Sequence, residues 1–368
     1  MIYLVSISIA VLCAWCLNHT KGFIWYVFFV MAIFVPALVW GVRSINMGID
    51  VNLYALPIWE YSKNLRTFDY GSLYGGKIEP GYLLINFALT RIFDDIHWLL
   101  FILAFLACFF VLQGLVNFEL RNYAWIGYAT YLTLFLPRTI NLVRQGFAMA
   151  ILIAAISAFF QRKWKLYCSL TLLATLFHNS SLIAFSFPVA YLIFRKKNGS
   201  LRQISMSIII IVIMLLSQTI LSHLLFLNDK YEIYLNGSFK PHFTIFSLTN
   251  LPFIITFGLY YKSIKKRFSY FAEELFMLIA GVVFSQLSWV VAVYLARVAQ
   301  PYNIFIVFAP MLLLTWVKDR FGPKVVDLMK VCILLYVSAY FFLVFFVNGE
   351  SSIFPYYSEP LDSLFRSI

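Results

Sequence analysis

FIWYVFFVMAIFVPALVWGV, residues 23–42, runs between Lys21 and Arg43 without one charged side chain. As a helix rising about 1.5 Å per residue, it is long enough for a hydrocarbon core of about 30 Å. Comparable runs lie at 98–118, 204–227, 275–296 and 331–347. The chain of 368 residues is 62% hydrophobic and 12% charged, about half the charged fraction of a soluble domain. A soluble fold could not cover that much apolar surface. The expected fold class is therefore all-α: a polytopic integral membrane protein, with 1–368 as a single transmembrane domain.

The spans are placed at 2–17, 23–42, 98–118, 123–137, 144–160, 165–178, 179–194, 204–227, 248–261, 274–296, 300–317 and 329–347, about twelve in all. Several are short for a crossing, which predicts tilted, broken or re-entrant helices. Lys21, Arg121, Arg162 to Lys165, Arg195 to Arg202, Lys262 to Arg267 and Lys318 to Lys324 fall in alternate connections. Cytoplasmic loops carry such an excess of Lys and Arg. The remaining connections then face outward: the loop 43–97, the turn at Pro137, His178 to Ser181, the loop 228–247, the turn near Arg297 and the tail after Val347. Both termini face outward with them. Within the first loop, Tyr82 to Phe93 is expected to be a re-entrant or surface helix, because a full crossing would reverse the charge pattern downstream.

This topology accounts for most of the basic residues behind the net charge of +12, so no nucleic-acid partner is expected. Cys13, Cys16, Cys108, Cys168 and Cys332 all lie in or at the edge of apolar runs, where cysteine behaves as a small hydrophobe. Cys13-x-x-Cys16 has no nearby His or second Cys pair to complete a metal site. No metal and no cofactor is expected. The first run has neither a basic n-region nor an A-x-A site, so no cleavable signal peptide is expected either.

Ionisable residues at the outward membrane edge carry the chemical information, since each costs desolvation unless it meets a partner, water or substrate. Arg43, Arg138, Arg144 and Arg297 sit there against the positive-inside bias. Pairing with the phosphates of membrane lipids, or with Asp50 and Glu79, is the plain explanation. A sharper one comes from Pro137-Arg138-Thr139-Ile140-Asn141-Leu142-Val143-Arg144-Gln145. On a continuous helix Arg138, Asn141 and Gln145 share a face, with Arg144 nearly one turn beyond Asn141. Two guanidiniums and two amides at a helix start form a natural anion site. A diphosphate is the obvious membrane-associated anion, and an interfacial anchor is the competing reading.

The first outward loop opens Arg43-Ser-Ile-Asn-Met-Gly48-Ile-Asp50-Val-Asn-Leu-Tyr54 and later has Glu79-Pro80-Gly81-Tyr82. Asp50 or Glu79 could accept a proton from an attacking sugar hydroxyl, and Asp50 could equally cap or pair Arg43. Tyr54 and Tyr82, with Trp59, Tyr61, Tyr70 and Tyr74, offer surfaces on which sugar rings stack, although interfacial belts use the same residues. Phe177-His178-Asn179-Ser180-Ser181 adds a histidine that can move a proton or donate to a phosphate. Arg297, with Gln300, Tyr302 and Asn303, brings a similar polar edge from the other half of the chain.

These residues resemble the EpsG family of Wzy-like polysaccharide polymerases. The pattern is Arg43…Gly48-x-Asp50…Tyr54, Glu79-x-Gly81-Tyr82, Asn141-x-x-Arg144-Gln145, Phe177-His178-Asn179-Ser180 and a late Pro355-Tyr356. Family members usually carry Thr where this chain has Ile49. The resemblance implies a bacterial cytoplasmic (inner) membrane enzyme of O-antigen, capsule or exopolysaccharide synthesis, with a GT-C-like fold and its active site outward. It would move a growing glycan from undecaprenyl diphosphate to the next lipid-linked repeat unit without a metal. Asp50, Glu79 and His178 are then the catalytic candidates. Arg43, Tyr54, Tyr82, Arg138, Asn141, Arg144, Gln145 and Arg297 are the substrate-binding ones. Implied partners are the undecaprenyl-diphosphate-linked oligosaccharide, and a flippase and chain-length regulator of the same pathway. A flippase for the same lipid, a glycan ligase and a membrane O-acyltransferase are the rival functions. The absence of a detectable inverted repeat counts against the first.

Overall fold

The computed structural model describes residues 2–48, 50–68, 78–195, 249–290 and 295–360. Every regular element among them is helical. The chain divides into two compact units, residues 1–182 with 307–368, and residues 183–306.

The first unit contains α1 (Ile2–Cys16), α2 (Gly22–Gly41), α3 (Leu56–Asn64), α4 (Pro80–Leu89), α5 (His97–Val116), α6 (Ala124–Leu134), α7 (Val143–Phe160) and α8 (Trp164–Thr175). The second holds α9 (Phe187–Arg195), α10 (Leu251–Leu259), α11 (Tyr261–Arg267), α12 (Phe271–Val290) and α13 (Leu295–Asn303). The chain then completes the first unit with α14 (Ala309–Phe321) and α15 (Pro323–Phe341). Among the described residues, five helical segments are long and apolar enough to cross a membrane: Gly22–Gly41, His97–Val116, Val143–Phe160, Ala296–Phe321 and Pro323–Val347. These match expected spans, and α1, α6, α8, 179–195, α10 and α12 put helix at six further expected positions. The expected span 204–227 and the loop 228–247 lie outside the described residues.

α7 is the centre of the first unit. Its apolar window is 89% buried, against 33% for α2 and for the last span. α2 and the last span therefore present faces suited to lipid, whereas α7 is enclosed by protein. Small residues set the spacing, as expected where helix association cannot rely on water exclusion. A Cβ added at Gly41 would come within 2.5 Å of Phe101 on α5, and one at Gly114 within 2.8 Å of Ala154 on α7.

The stretch expected to form one helical face at 138–145 is instead two elements, which is the main correction to the sequence reading. Leu136–Ile140 is a 3-10 turn, Asn141 and Leu142 leave helical register, and α7 begins at Val143. Side chains take the carbonyls that a continuing α-helix would use. Trp40 Nε1 donates to Leu136 O at 3.0 Å, and Arg138 Nη1 donates to Leu134 O. Pro137 supplies no N–H to the ladder. Gly48, at φ +84°, packs against Ile140 and Asn141 so closely that a Cβ would meet both. The break thus receives the chain just before Asp50.

Tyr82 to Phe93 is largely the short helix α4, with Pro80 at its first position, where a missing N–H costs nothing. Gly81 N donates to Leu176 O at 2.8 Å, and a Cβ at Gly81 would come within 2.7 Å of that oxygen. Only glycine allows the start of α4 to dock on the end of α8. That contact sets Glu79 beside His178.

The segment after the last span returns over the mouth of α2. Ser44 N donates to Tyr357 O at 2.8 Å, Tyr356 Oη to Val39 O at 3.0 Å, and Ser358 Oγ to Val42 O. His97 donates to Arg43 O at 3.1 Å through Nε2 and contacts Asp95 at 2.6 Å through Nδ1. The loop that begins at Arg43 is therefore held from both the tail and α5.

Candidate functional site

Three residues far apart in sequence meet at the start of α7. Glu79, at the N-cap of α4, is 5% exposed and forms an ion pair through Oε2 with Arg144 in the first turn of α7. Its Oε1 lies 3.3 Å from Nδ1 of His178 and accepts from Asn179 N at 3.4 Å. One buried carboxylate thus holds a guanidinium and an imidazole together.

Two tyrosines frame the guanidinium. The Tyr54 ring is centred 5.7 Å from it and the Tyr82 ring 5.9 Å, both within cation–π range. Tyr82 is buried and Tyr54 exposed, so one ring packs the site while the other borders open space. Asp50 is half-buried and lies, with Glu79, within electrostatic reach of the Tyr82 hydroxyl. Six of the residues singled out from sequence, Asp50, Tyr54, Glu79, Tyr82, Arg144 and His178, therefore form one neighbourhood.

Burial alone would push the Glu79 carboxyl up. The hydrogen bond with His178 and the charge of Arg144 outweigh it and hold the group down to about 2. Glu79 is therefore ionised at neutral pH and a weak proton acceptor. Because its folded value lies below the ordinary 4.5, the stability it lends is fully present above that value. It is lost as pH falls through about 2.

The other candidates divide. Arg138 does not join Arg144. It is 7% exposed and is paired with Glu350 through Nε at 2.9 Å and Nη2 at 3.2 Å, with Tyr340 Oη at 2.8 Å from the same Nη2. The 3-10 turn and the break after it rotate Arg138 away from the α7 face, and it clasps the tail instead. Glu350→Gln is expected to lower stability by about 1–2 kcal/mol, because it leaves a buried guanidinium poorly compensated while Glu350 itself is partly exposed. Thermal unfolding of the purified protein measures this, and an unchanged midpoint would remove the clasp.

Arg43 is also buried, at 3% exposure. Nη1 donates to Trp40 O, and Nε finds no hydrogen-bond partner among the described residues. It lines a cavity with Trp40, Leu136, Thr139, Val143 and Phe147, apart from Glu79. Asn141 is half-buried against Gly48, and Gln145 is buried in α7. Arg297 is exposed on α13 of the second unit. Glu350 and Tyr340, the partners of Arg138, were not singled out from sequence. The only available signal was an isolated acid just beyond the last apolar run.

The family model named EpsG family matches residues 26–358, nearly the whole chain and all of this site. The chain belongs to the EpsG family. Comparison with curated proteins and with solved structures gives no match. As an EpsG family member with several membrane-length apolar helices, the protein is membrane-embedded, fits a bacterial membrane protein of polysaccharide biosynthesis, and has a polysaccharide-polymerase-like function.

Proposed function

We propose that this EpsG family protein is a Wzy-type polysaccharide polymerase of the bacterial cytoplasmic membrane, with about twelve spans in a GT-C-like arrangement. It transfers a growing glycan from undecaprenyl diphosphate to a sugar hydroxyl of the next lipid-linked repeat unit, on the outer face and without a metal. The observation that supports this best is the Arg144–Glu79–His178 cluster at the start of α7 with Tyr54 and Tyr82 around it. A cation at a helix N-terminus, held by a buried carboxylate, is suited to an anionic phosphate. Aromatic rings beside it suit a sugar.

In the proposed reaction an acceptor hydroxyl oxygen attacks the anomeric carbon of the donor glycan. The bond from that carbon to the diphosphate oxygen breaks, and the electron pair leaves with undecaprenyl diphosphate. Arg144 stabilises the charge that develops there. Asp50 takes the hydroxyl proton, because Glu79 is committed to Arg144 and His178. His178 orients the acceptor or shields the phosphate. A flippase and a chain-length regulator act beside it, supplying the repeat unit outward and setting product length.

Purified protein given a defined lipid-linked repeat unit should build a ladder of longer glycans. Accumulation of unpolymerised repeat unit alone would refute the reading. The topology is checked separately. In a background with the five cysteines replaced by alanine, Asn64→Cys should react with an impermeant thiol reagent in intact cells, and Asn198→Cys only after lysis. The reverse pattern would invert the site to the cytoplasmic side.

A further inference from the structure

The second unit contains a carboxyl group that the proposed reaction does not use. Glu274, in the first turn of α12, is 0% exposed, and neither carboxylate oxygen has a hydrogen-bond partner among the described residues. Its own backbone N–H donates to Tyr270 O at 3.1 Å. Glu274, Leu278, Gly281 and Ser285 recur at four-, three- and four-residue steps, so they share one face of α12. That face is polar further along. Asn303 Nδ2 donates to Ser285 Oγ at 2.9 Å, and Asn250 Nδ2 donates to Asn303 Oδ1 at 3.3 Å. Gly281 allows this approach, since a Cβ there would come within 2.5 Å of Asn303 Oδ1. Asn250, Ser285 and Asn303 are all buried and hydrogen-bonded, which sets Glu274 apart on their shared stripe.

The elements packed on α12 bring titratable groups, and among the described residues none pairs with Glu274. α11 carries exposed Lys262, Lys265, Lys266 and Arg267; α13 carries exposed Arg297 and buried Tyr302, which bonds Ser186 at 2.9 Å. α9 contributes Tyr191 and ends at Arg195, and α10 has no charged residue. On α12 itself the neighbour is Glu273, a second acid, which disfavours another negative charge. The helix N-terminus favours charge, but by less than an unpaired, fully buried carboxylate costs. We propose that Glu274 is a proton-binding site of the second unit, holding its carboxyl as the neutral acid at neutral pH. The proton takes the place of a cation that the described residues do not supply.

Dicyclohexylcarbodiimide tests this, because it enters apolar surroundings and reacts only with a protonated carboxyl. The acid proton passes to a carbodiimide nitrogen and the carboxyl oxygen adds to the central carbon. Migration of the acyl group to nitrogen then gives a stable N-acylurea. Whole protein in detergent should carry this adduct at Glu274, read by peptide mass spectrometry. The rate should change less than about twofold between about pH 6.5 and about pH 8.5, where an ordinary carboxyl with a value near 4.3 loses about tenfold per unit. A water-soluble carbodiimide should label exposed acids and leave Glu274 untouched. Glu274→Gln, which mimics the neutral acid, should abolish the adduct and keep the elution profile of the parent. No adduct at Glu274, or a rate that falls tenfold per pH unit, overturns the proposal. Neither reading needs the variant to fold or the polymerase assignment to hold.

Discussion

Arg144→Lys is expected to lower polymerisation by about 100-fold while the protein accumulates normally. Lysine keeps the charge but loses the planar fork that can hold Glu79 with one nitrogen and a phosphate oxygen with another. Arg144 already gives Nη1 to Glu79, so a single ammonium would have to choose between the buried carboxylate and the substrate. Glu79 is 5% exposed and ionised at neutral pH, so the ammonium stays with it. The loss should appear in turnover, because removing one donor from a developing charge typically costs about 10²–10³ in kcat. Turnover and protein level must be measured on one preparation. Full turnover at normal level would reduce Arg144 to an anchor for Glu79.

How far sequence alone reached this site depends on how local each signal was. Membrane spans are local: an uncharged run such as 23–42 can be read without knowing its neighbours, and α2 occupies Gly22–Gly41. The Glu79 pairing was not local. Its partners Arg144 and His178 lie 65 and 99 residues away, and no spacing rule joins them. What joins them is the docking of Gly81 on Leu176, a backbone contact. Each residue was still singled out, because each broke the apolar pattern at the edge of an expected span. Arg138 failed for the opposite reason. Helical periodicity was applied from Arg138 to Gln145, across Asn141 and Leu142, where the 3-10 turn ends and a new helix begins at Val143. Glu350 was passed over because the acid that compensates Arg138 lies 212 residues on, in a tail with no pattern of its own. Glu274 was read as the edge of a span, and burial without a partner is visible only once the helices are packed.

Asp50→Asn is expected to remove nearly all polymerisation, about 10²–10⁴-fold, and to leave binding of the lipid-linked donor intact. The amide keeps the shape of the carboxylate and cannot accept the hydroxyl proton. The structure narrows the choice by what the other candidates are already doing. Glu79 is buried, shared between Arg144 and His178, and held down to about 2, so it accepts protons poorly at neutral pH. Asp50 is half-buried, follows the left-handed Gly48, and lies on the Tyr82 side of the same cluster. Glu79→Gln should behave differently. Arg144 and His178 would lose the group that positions them, so donor binding and turnover should fall together. Running both variants against one donor separates a proton acceptor from a positioning group. If Asp50→Asn loses donor binding but keeps single-turnover chemistry, Asp50 is a binding residue and the proton passes to His178 or Glu79.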